Sequence, residues 1–286
     1  MNTLFKPSIT LNNLTMQFGE KTVLNRINLT IQKGEIFGLL GPSGAGKTTL
    51  IKILTGQLAA SSGSSTINGI DSTKLCGSDY KSFGIMMDNF GVYERFSCLD
   101  NLKVFAGIYG ISKNRILESL EQVGLKDAIK TPAAKLSKGM KSRLRLARVL
   151  MVNPDIFFLD EPTSGLDPAT ADEIQGLIQK EQAKGKTIFL TTHNMAEAKK
   201  LCNHIALLNE GTIVEYGEPQ EICRRYNHQK CLNLHLTDGT DVVLPHNTTV
   251  STELSDYFAK GLVETIHSTE PNLETVFMEL TGKKFS

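Results

Sequence analysis

The chain has little of what marks several functional classes. No apolar run approaches the ~20 residues that span a bilayer, and the opening MNTLFKPSIT lacks a basic stretch followed by an apolar core. The expectation is therefore a chain that is neither secreted nor membrane-spanning, in which glycosylation matches such as Asn28-Leu29-Thr30 carry no meaning. Cysteine is scarce. Cys76, Cys98, Cys202, Cys223 and Cys231 are odd in number and no two form a C-x-x-C pair, which excludes a disulfide framework or zinc site of the usual spacing and points to a reducing cytosol. Charge of neither sign is in surplus: 31 basic residues stand against 30 acidic ones, so the chain as a whole has no electrostatic pull toward nucleic acid or an anionic membrane. What remains is 286 residues, enough for one large domain plus an appendage, or for two domains.

What is present begins with GPSGAGKTT, residues 41–49, which fits the pattern G-x-x-x-x-G-K-[ST] shared by many kinases, switch GTPases, motors and transport ATPases. Its flanks make it credible. EIFGLL, residues 35–40, reads as a buried strand after the turn pair Lys33-Gly34; TTLIKILTG places Leu50, Ile53 and Leu54 at helical spacing and stops at Gly56. In such a loop Gly41, Pro42, Ser43, Gly44, Ala45 and Gly46 turn backbone N–H groups toward phosphate oxygens. The helix start at Lys47, Thr48 and Thr49 adds roughly half an elementary positive charge. Lys47 then reaches the β- and γ-phosphates and the Thr48 hydroxyl ligates magnesium.

A partner carboxylate belongs at the end of another buried strand. DIFFLDEPTSGLD supplies it: residues 156–159 are continuously apolar, as in a parallel strand covered on both faces, and lead to Asp160 and Glu161. Asp160 is placed to hold Mg2+ through water, and Glu161 to polarise the water that attacks the γ-phosphate. Between the two motifs, LSKGMKSRLRLARVL sets Met140, Leu144, Ala147 and Leu150 along one face of a helix whose N-cap is Ser137. Ser137 and Gly139 at that helix start form a second anion-binding surface. Lys141, Arg145 and Arg148 fall on the opposite face, which reads as solvated rather than as a nucleic-acid patch.

LSKGM resembles the LSGGQ signature of ATP-binding-cassette (ABC) ATPases, and phosphate loop, signature, carboxylate strand and SGLD occur in that family's order over about 220 residues. The resemblance implies an α/β fold: a P-loop ABC ATPase core with an antiparallel β flank and a helical subdomain. It implies ATP and Mg2+ as cofactors, and a head-to-tail pair of cassettes in which the signature of one subunit faces the γ-phosphate bound by the other. Carried onto this chain, it makes Phe18 the aromatic that stacks on adenine and His193 the switch histidine that contacts the γ-phosphate. Asp167, N-cap of the helix begun by Pro168, becomes the turn that couples the two sites. Where the family usually has a glutamine touching magnesium and attacking water, this chain has Asp88, a candidate magnesium ligand that either coordinates the ion more directly or repels the γ-phosphate; cassettes of peptide-antibiotic and lantibiotic self-protection transporters resemble it in placing an acidic residue there. Lys138 replaces a signature glycine. It either adds positive charge near the partner's γ-phosphate or points into solvent.

Residues 9–31 alternate in two runs, ITLNNLTMQF and TVLNRINLTI, as antiparallel strands. The helical subdomain is expected over about residues 91–149, opening on Ser97 and Asp100, striped by Ile116, Leu117 and Leu120 and closed by Gly124. NFGVYERF, with Phe90, Tyr93 and Phe96, is the candidate surface for a membrane partner, against ordinary packing of that subdomain. Residues 1–222 are expected to form the ATPase domain and 223–286 a small α/β accessory domain: a hairpin turning at Asp238-Gly239, a helix, a strand near 263–267 and a helix with Leu273, Val276, Phe277 and Leu280 on one face, closed by Gly282. This tail resembles that of type-2 exporter cassettes. The resulting expectation is the ATPase of a drug or peptide-antibiotic exporter, peripheral on the cytoplasmic face of the membrane. Its partners are an integral permease and a second cassette, identical or paralogous, with no nucleic acid. The alternatives are a soluble non-transport ABC ATPase and a nucleotide-dependent sensor.

Overall fold

Alternating burial turns the first two runs into paired strands. In the computed structural model, which describes residues 6–87, 91–228, 230–245 and 250–283, β1 (Ile9–Phe18) and β2 (Lys21–Ile31) pair antiparallel and bury Ile9, Leu11 and Leu14 with Leu24, Ile27 and Ile31. A bulge at Asn13, whose backbone is left-handed, shifts the register between Leu11 and Leu14. β3 (Ile36–Leu40) leads into α1 (Lys47–Leu54), followed by β4 (Ser62–Ile67), β5 (Ile70–Asp71) and β6 (Phe83–Met86). Three helices, α2 (Cys98–Tyr109), α3 (Lys113–Gln122) and α4 (Lys138–Val152), then pack on one another. Ser97, Ser112 and Ser137 cap them in turn, each accepting a backbone N–H three residues on. The chain returns through β7 (Ile156–Asp160), α5 (Pro168–Ala183), β8 (Thr187–Thr192), α6 (Met195–Leu201), β9 (His204–Asn209) and β10 (Thr212–Gly217).

Two sheets result. The first has the order β2-β1-β4-β5 and is antiparallel throughout; the second has six strands in the order β10-β9-β3-β8-β7-β6, with β9, β3, β8, β7 and β6 mutually parallel. Every residue of β3, β7 and β8 is buried, which explains the continuous apolar runs of β3, of residues 156–159 in β7 and of residues 188–190 in β8. Phe83, Phe158, Phe189 and Phe37 form an aromatic ladder across β6, β7, β8 and β3, with successive ring centroids 5.9, 5.7 and 5.4 Å apart. Leu50, Ile51, Ile53 and Leu54 of α1 share one apolar cluster with residues of both sheets. The helix behind the phosphate loop is thereby fixed to the scaffold from two directions.

Packing divides the chain into two compact units, one running to Tyr216 and one beginning at Gly217. The division precedes the 222/223 boundary expected from sequence because α7 (Pro219–Arg225) packs against α9 (Leu273–Thr281) within the second unit. That unit also holds β11 (Cys231–Leu236), β12 (Asp241–Pro245), α8 (Val250–Ala259) and β13 (Val263–Ser268), with sheet order β12-β11-β13. Its small core is Leu234, Leu236 and Leu244, packed against Leu254 and Tyr257 of α8. No helix among the described residues is long and apolar enough to cross a membrane.

Candidate active site

The loop between β3 and α1 has the shape its glycines permit. Gly44 and Gly46 sit at φ 82° and 111°, where a side chain is strained, and a Cβ on Gly41 would lie 2.4 Å from the carbonyl oxygen of Leu208. Gly46 is the N-cap of α1 and offers no capping side chain, so the first N–H groups of that helix point outward for an anion. The Lys47 side chain folds back over the loop: its Nζ donates to the carbonyls of Gly41 at 2.6 Å and Pro42 at 3.3 Å.

β7 and β8 deliver the acidic and imidazole groups. The Thr48 hydroxyl donates to Asp160 Oδ2 at 2.8 Å, and the Thr191 hydroxyl donates to Asp160 Oδ1. Immediately after the strand, Glu161 takes φ 51°, a left-handed conformation unusual for a residue with a side chain and costing roughly 1–3 kcal/mol. Its N–H donates to the carbonyl of Thr191 at 3.1 Å, which holds the turn. The carboxylate then lies between two cations or donors: Lys47 Nζ is 3.3 Å from Oε1, and His193 Nδ1 is 2.7 Å from Oε2. Lys47, Thr48, Asp160, Glu161 and His193, spread from position 47 to position 193 of the sequence, meet at one place.

A cavity of about 330 Å³ opens beside them, lined by Ser43, Gly44, Gly46, Lys47, Thr48, Thr49, Asp160 and Glu161, with Val23, Lys52 and Met87 added from elsewhere. Phe18 ends β1 at 49% exposure and does not line this cavity. Ser137 caps α4 as expected, and Gly139 packs against Thr170, but neither lines the cavity. Within one chain the signature is not brought to the phosphate loop. Asp167 is the N-cap of α5 and accepts from Thr170 N at 3.0 Å; that hydrogen bond holds its carboxyl below the usual range. Asp88 and Phe90 lie outside the described residues.

One sequence reading needs correction. Arg145 and Arg148 are not on a solvated face. Arg148 donates to the carbonyls of Gly91 at 2.9 Å and Ile85 at 3.4 Å and stacks its guanidinium over Phe105 at 4.6 Å, while Arg145 donates to Met87 at 3.3 Å. Burial pulls the Arg148 guanidinium below its usual range. The face was misread because its partners are main-chain carbonyls some 60 residues earlier, which no local periodicity reveals. Lys141 does face outward, to Glu94 at 2.8 Å. Lys138 is exposed and its ammonium lies against the backbone of Gly165 in the SGLD turn.

Sequence reasoning also passed over Asn101 and Glu197. Asn101 is buried, accepts from Tyr93 N at 2.7 Å and donates to the carbonyls of Tyr93, Phe96 and Ser97, holding a turn that presents Tyr93 and Phe96 outward at 49% and 43% exposure. Glu197 is a carboxylate on the buried side of α6, and burial pushes it above the usual carboxylate range. Its signal was the acidic residue four positions before buried Leu201 on a short apolar helix face.

The chain is similar to known proteins along most of its length. A family model described as ABC transporter matches residues 24–164. The chain is 36% identical over 274 residues to a fluoroquinolones export ATP-binding protein of Mycobacterium tuberculosis, covering 91% of this chain and 88% of the relative. It is 36% identical over 222 residues to the lantibiotic transport ATP-binding protein SrtF of Streptococcus pyogenes, covering 77% and 96% respectively. Among solved structures, a dimeric ATP-binding cassette in a post-hydrolysis state bound to ADP and Pi superposes with a TM-score of 0.67 at 27% identity, covering 73% of this chain and 98% of that one.

Proposed function

Since the chain belongs to the ABC transporter family as an ATP-binding subunit, we propose that it hydrolyses ATP at Glu161 to drive a separate membrane permease that exports a drug or a peptide antibiotic. The observation that carries this reading is the meeting of Lys47, Glu161 and His193 with the Thr48–Asp160 pair beside one cavity. ATP phosphates rest on the N–H groups of residues 43–48, and Lys47 offsets the charge of the β- and γ-phosphates. The Thr48 hydroxyl and the Asp160 carboxylate are adjacent hard oxygen donors of the kind Mg2+ prefers, and they hold that ion. When bound, magnesium neutralises charge developing on the transferred phosphoryl group.

Glu161 orients the attacking water and takes its proton, and the His193 imidazole fixes that carboxylate through Nδ1. Phe18, exposed at the end of β1, stacks on adenine. Ser137 and Gly139 act on the nucleotide of a second cassette, a reading supported by their absence from the cavity lining of their own chain. Asp167 couples the two sites from the SGLD turn. In this reading the ATPase domain ends at Tyr216 and the accessory domain begins at Gly217, ahead of the 222/223 boundary expected from sequence. The cassette sits on the cytoplasmic face of the membrane, and the exposed Tyr93–Phe96 pair, rings 5.4 Å apart, is its contact with the permease.

The test is capture of tagged Glu161→Gln protein with ATP from detergent-solubilised membranes of its own cells. A polytopic membrane protein is expected in the complex. Recovery with ribosomes, with nucleic acid, or with no partner would overturn the transport reading.

A further inference from the structure

β7 and β8 stay in register up to the pair Asp160 and Thr191, and the Glu161 N–H to the Thr191 carbonyl is the next bond beyond it. Among the described residues no main-chain to main-chain hydrogen bond joins the two segments after that point; past it the catalytic carboxylate meets the switch residue only through its own side chain, Glu161 Oε2 accepting from the His193 N–H at 3.4 Å and lying 2.7 Å from its Nδ1. Something else must fix their separation. Glu197 is placed to do so. It is 2% exposed; its Oε1 accepts from the Thr163 hydroxyl at 2.6 Å and its Oε2 from the Thr192 hydroxyl at 2.7 Å. Thr163 lies two residues after Glu161, and Thr192 directly precedes His193. One carboxylate thus spans the two segments that carry the catalytic pair.

The arrangement is closed on both sides. Thr192 Oγ1 also accepts from Asn194 N at 2.9 Å, and Asn194 caps α6 through the Glu197 N–H at 3.0 Å, so the turn holding His193 is tied to the same residue twice. On the other side, the Ser142 hydroxyl of α4 donates to the Pro162 carbonyl at 3.0 Å, which pins the loop that Thr163 belongs to. Burying a carboxylate is expensive, and doing so between two hydroxyls that reach it from different loops makes it a spacer whose length matters.

We propose that Glu197 is a positioning residue for hydrolysis: it holds the loop after Glu161 and the strand end before His193 at the separation that keeps those two side chains in hydrogen-bond contact. The proposal rests on the catalytic reading of Glu161 and His193. A structural role alone would weaken nucleotide binding and turnover together, whereas a spacer for the catalytic pair affects turnover with binding retained.

The experiment is steady-state ATP hydrolysis by the full chain in complex with its permease, with ATP affinity measured by equilibrium binding. Glu197→Ala is expected to lower kcat about tenfold or more while KM and ATP affinity stay within about twofold. Glu197→Gln has the same length, accepts from one threonine and donates to the other, and is expected to keep kcat within about threefold. The proposal is overturned by a folded Glu197→Ala protein with unchanged kcat, by a parallel loss of ATP affinity, or by Glu197→Gln as impaired as Glu197→Ala. Should Glu197→Ala not fold, Thr163→Val and Thr192→Val probe the same contacts: each is expected to lower kcat at constant KM, with the double substitution costing less than the product of the two. Unchanged kcat or independent, multiplicative losses would overturn it. Glu161→Gln run alongside separates the failures. Retained turnover there removes the assignment of Glu161; abolished turnover with an indifferent Glu197→Ala removes only the role of Glu197.

Discussion

β3, β7 and β8 bury every residue they contain, whereas β13 buries none and β12 only Leu244. The first set belongs to a parallel sheet covered on both faces; the second belongs to a three-stranded antiparallel sheet covered on one, with Val243 60% exposed on the other. The difference explains where chemistry resides. Fully enclosed strands end at fixed points, so a carboxylate at the end of β7 and a histidine past the end of β8 are held to each other within hydrogen-bond distance, and the strained backbone of Glu161 is sustained by its surroundings. Among the described residues the half-covered sheet brings together no comparable set of reactive groups.

The contrast is broken most severely at the phosphate loop. Lys47→Ala is expected to lower ATP turnover about 10²–10³-fold, the scale for removing one preorganised donor to developing phosphoryl charge. Leu234→Ala, at the centre of the accessory core, is expected to leave turnover unchanged. An accessory substitution that lowers turnover as much as Lys47→Ala would end the division of labour drawn here.

Stability sharpens the same comparison at smaller scale. Phe158→Ala removes the middle of the aromatic ladder, where both neighbouring rings lie within 5.9 Å, and is expected to cost about 3–5 kcal/mol. Leu234→Ala should fall near the low end of the ~2–5 kcal/mol range for such truncations because its sheet has one open face. Urea melts of the two variants check both values, and equal losses would contradict the contrast.

Much of this was legible in the sequence because it depends on local pattern. The glycines of residues 41–46 dictate their own backbone, the apolar run before Asp160 declares a doubly covered strand, and Ser97, Ser137 and Asp167 cap helices by rules that span three residues. The accessory hairpin was equally readable from Leu232, Leu234 and Leu236 and the turn at Gly239. What could not be read depends on partners distant in the chain. Arg148 and Ile85, Asn101 and Tyr93, Glu197 and Thr163, and Glu35 with His204 at 2.8 Å are polar pairings that only the fold creates. Each looks like an ordinary surface or capping residue until its partner is known.

The smallest expected effect lies in the accessory unit. Asp241 Oδ1 is 2.6 Å from His235 Nδ1, and that hydrogen bond raises the imidazole above its ordinary value of 6.5. A raised histidine contributes stability that is fully present below the unfolded value and is lost as pH rises through the folded one. Hydrogen exchange of the hairpin should therefore become slightly faster, beyond the intrinsic rate, as pH is raised through the near-neutral range, and His235→Ala should remove the effect. A hairpin that tightens over that range would contradict the assignment.

The claim on which the account turns is that Glu161 converts ATP binding into hydrolysis. Phosphate release and oligomeric state of Glu161→Gln protein, measured together with ATP and magnesium, test it directly. The expected result is phosphate release lowered about 10²-fold or more, the lower bound for removing a positioned base, with the protein accumulating as an ATP-dependent pair of cassettes. Phosphate release at the unsubstituted rate, or no ATP-dependent pairing, would contradict it.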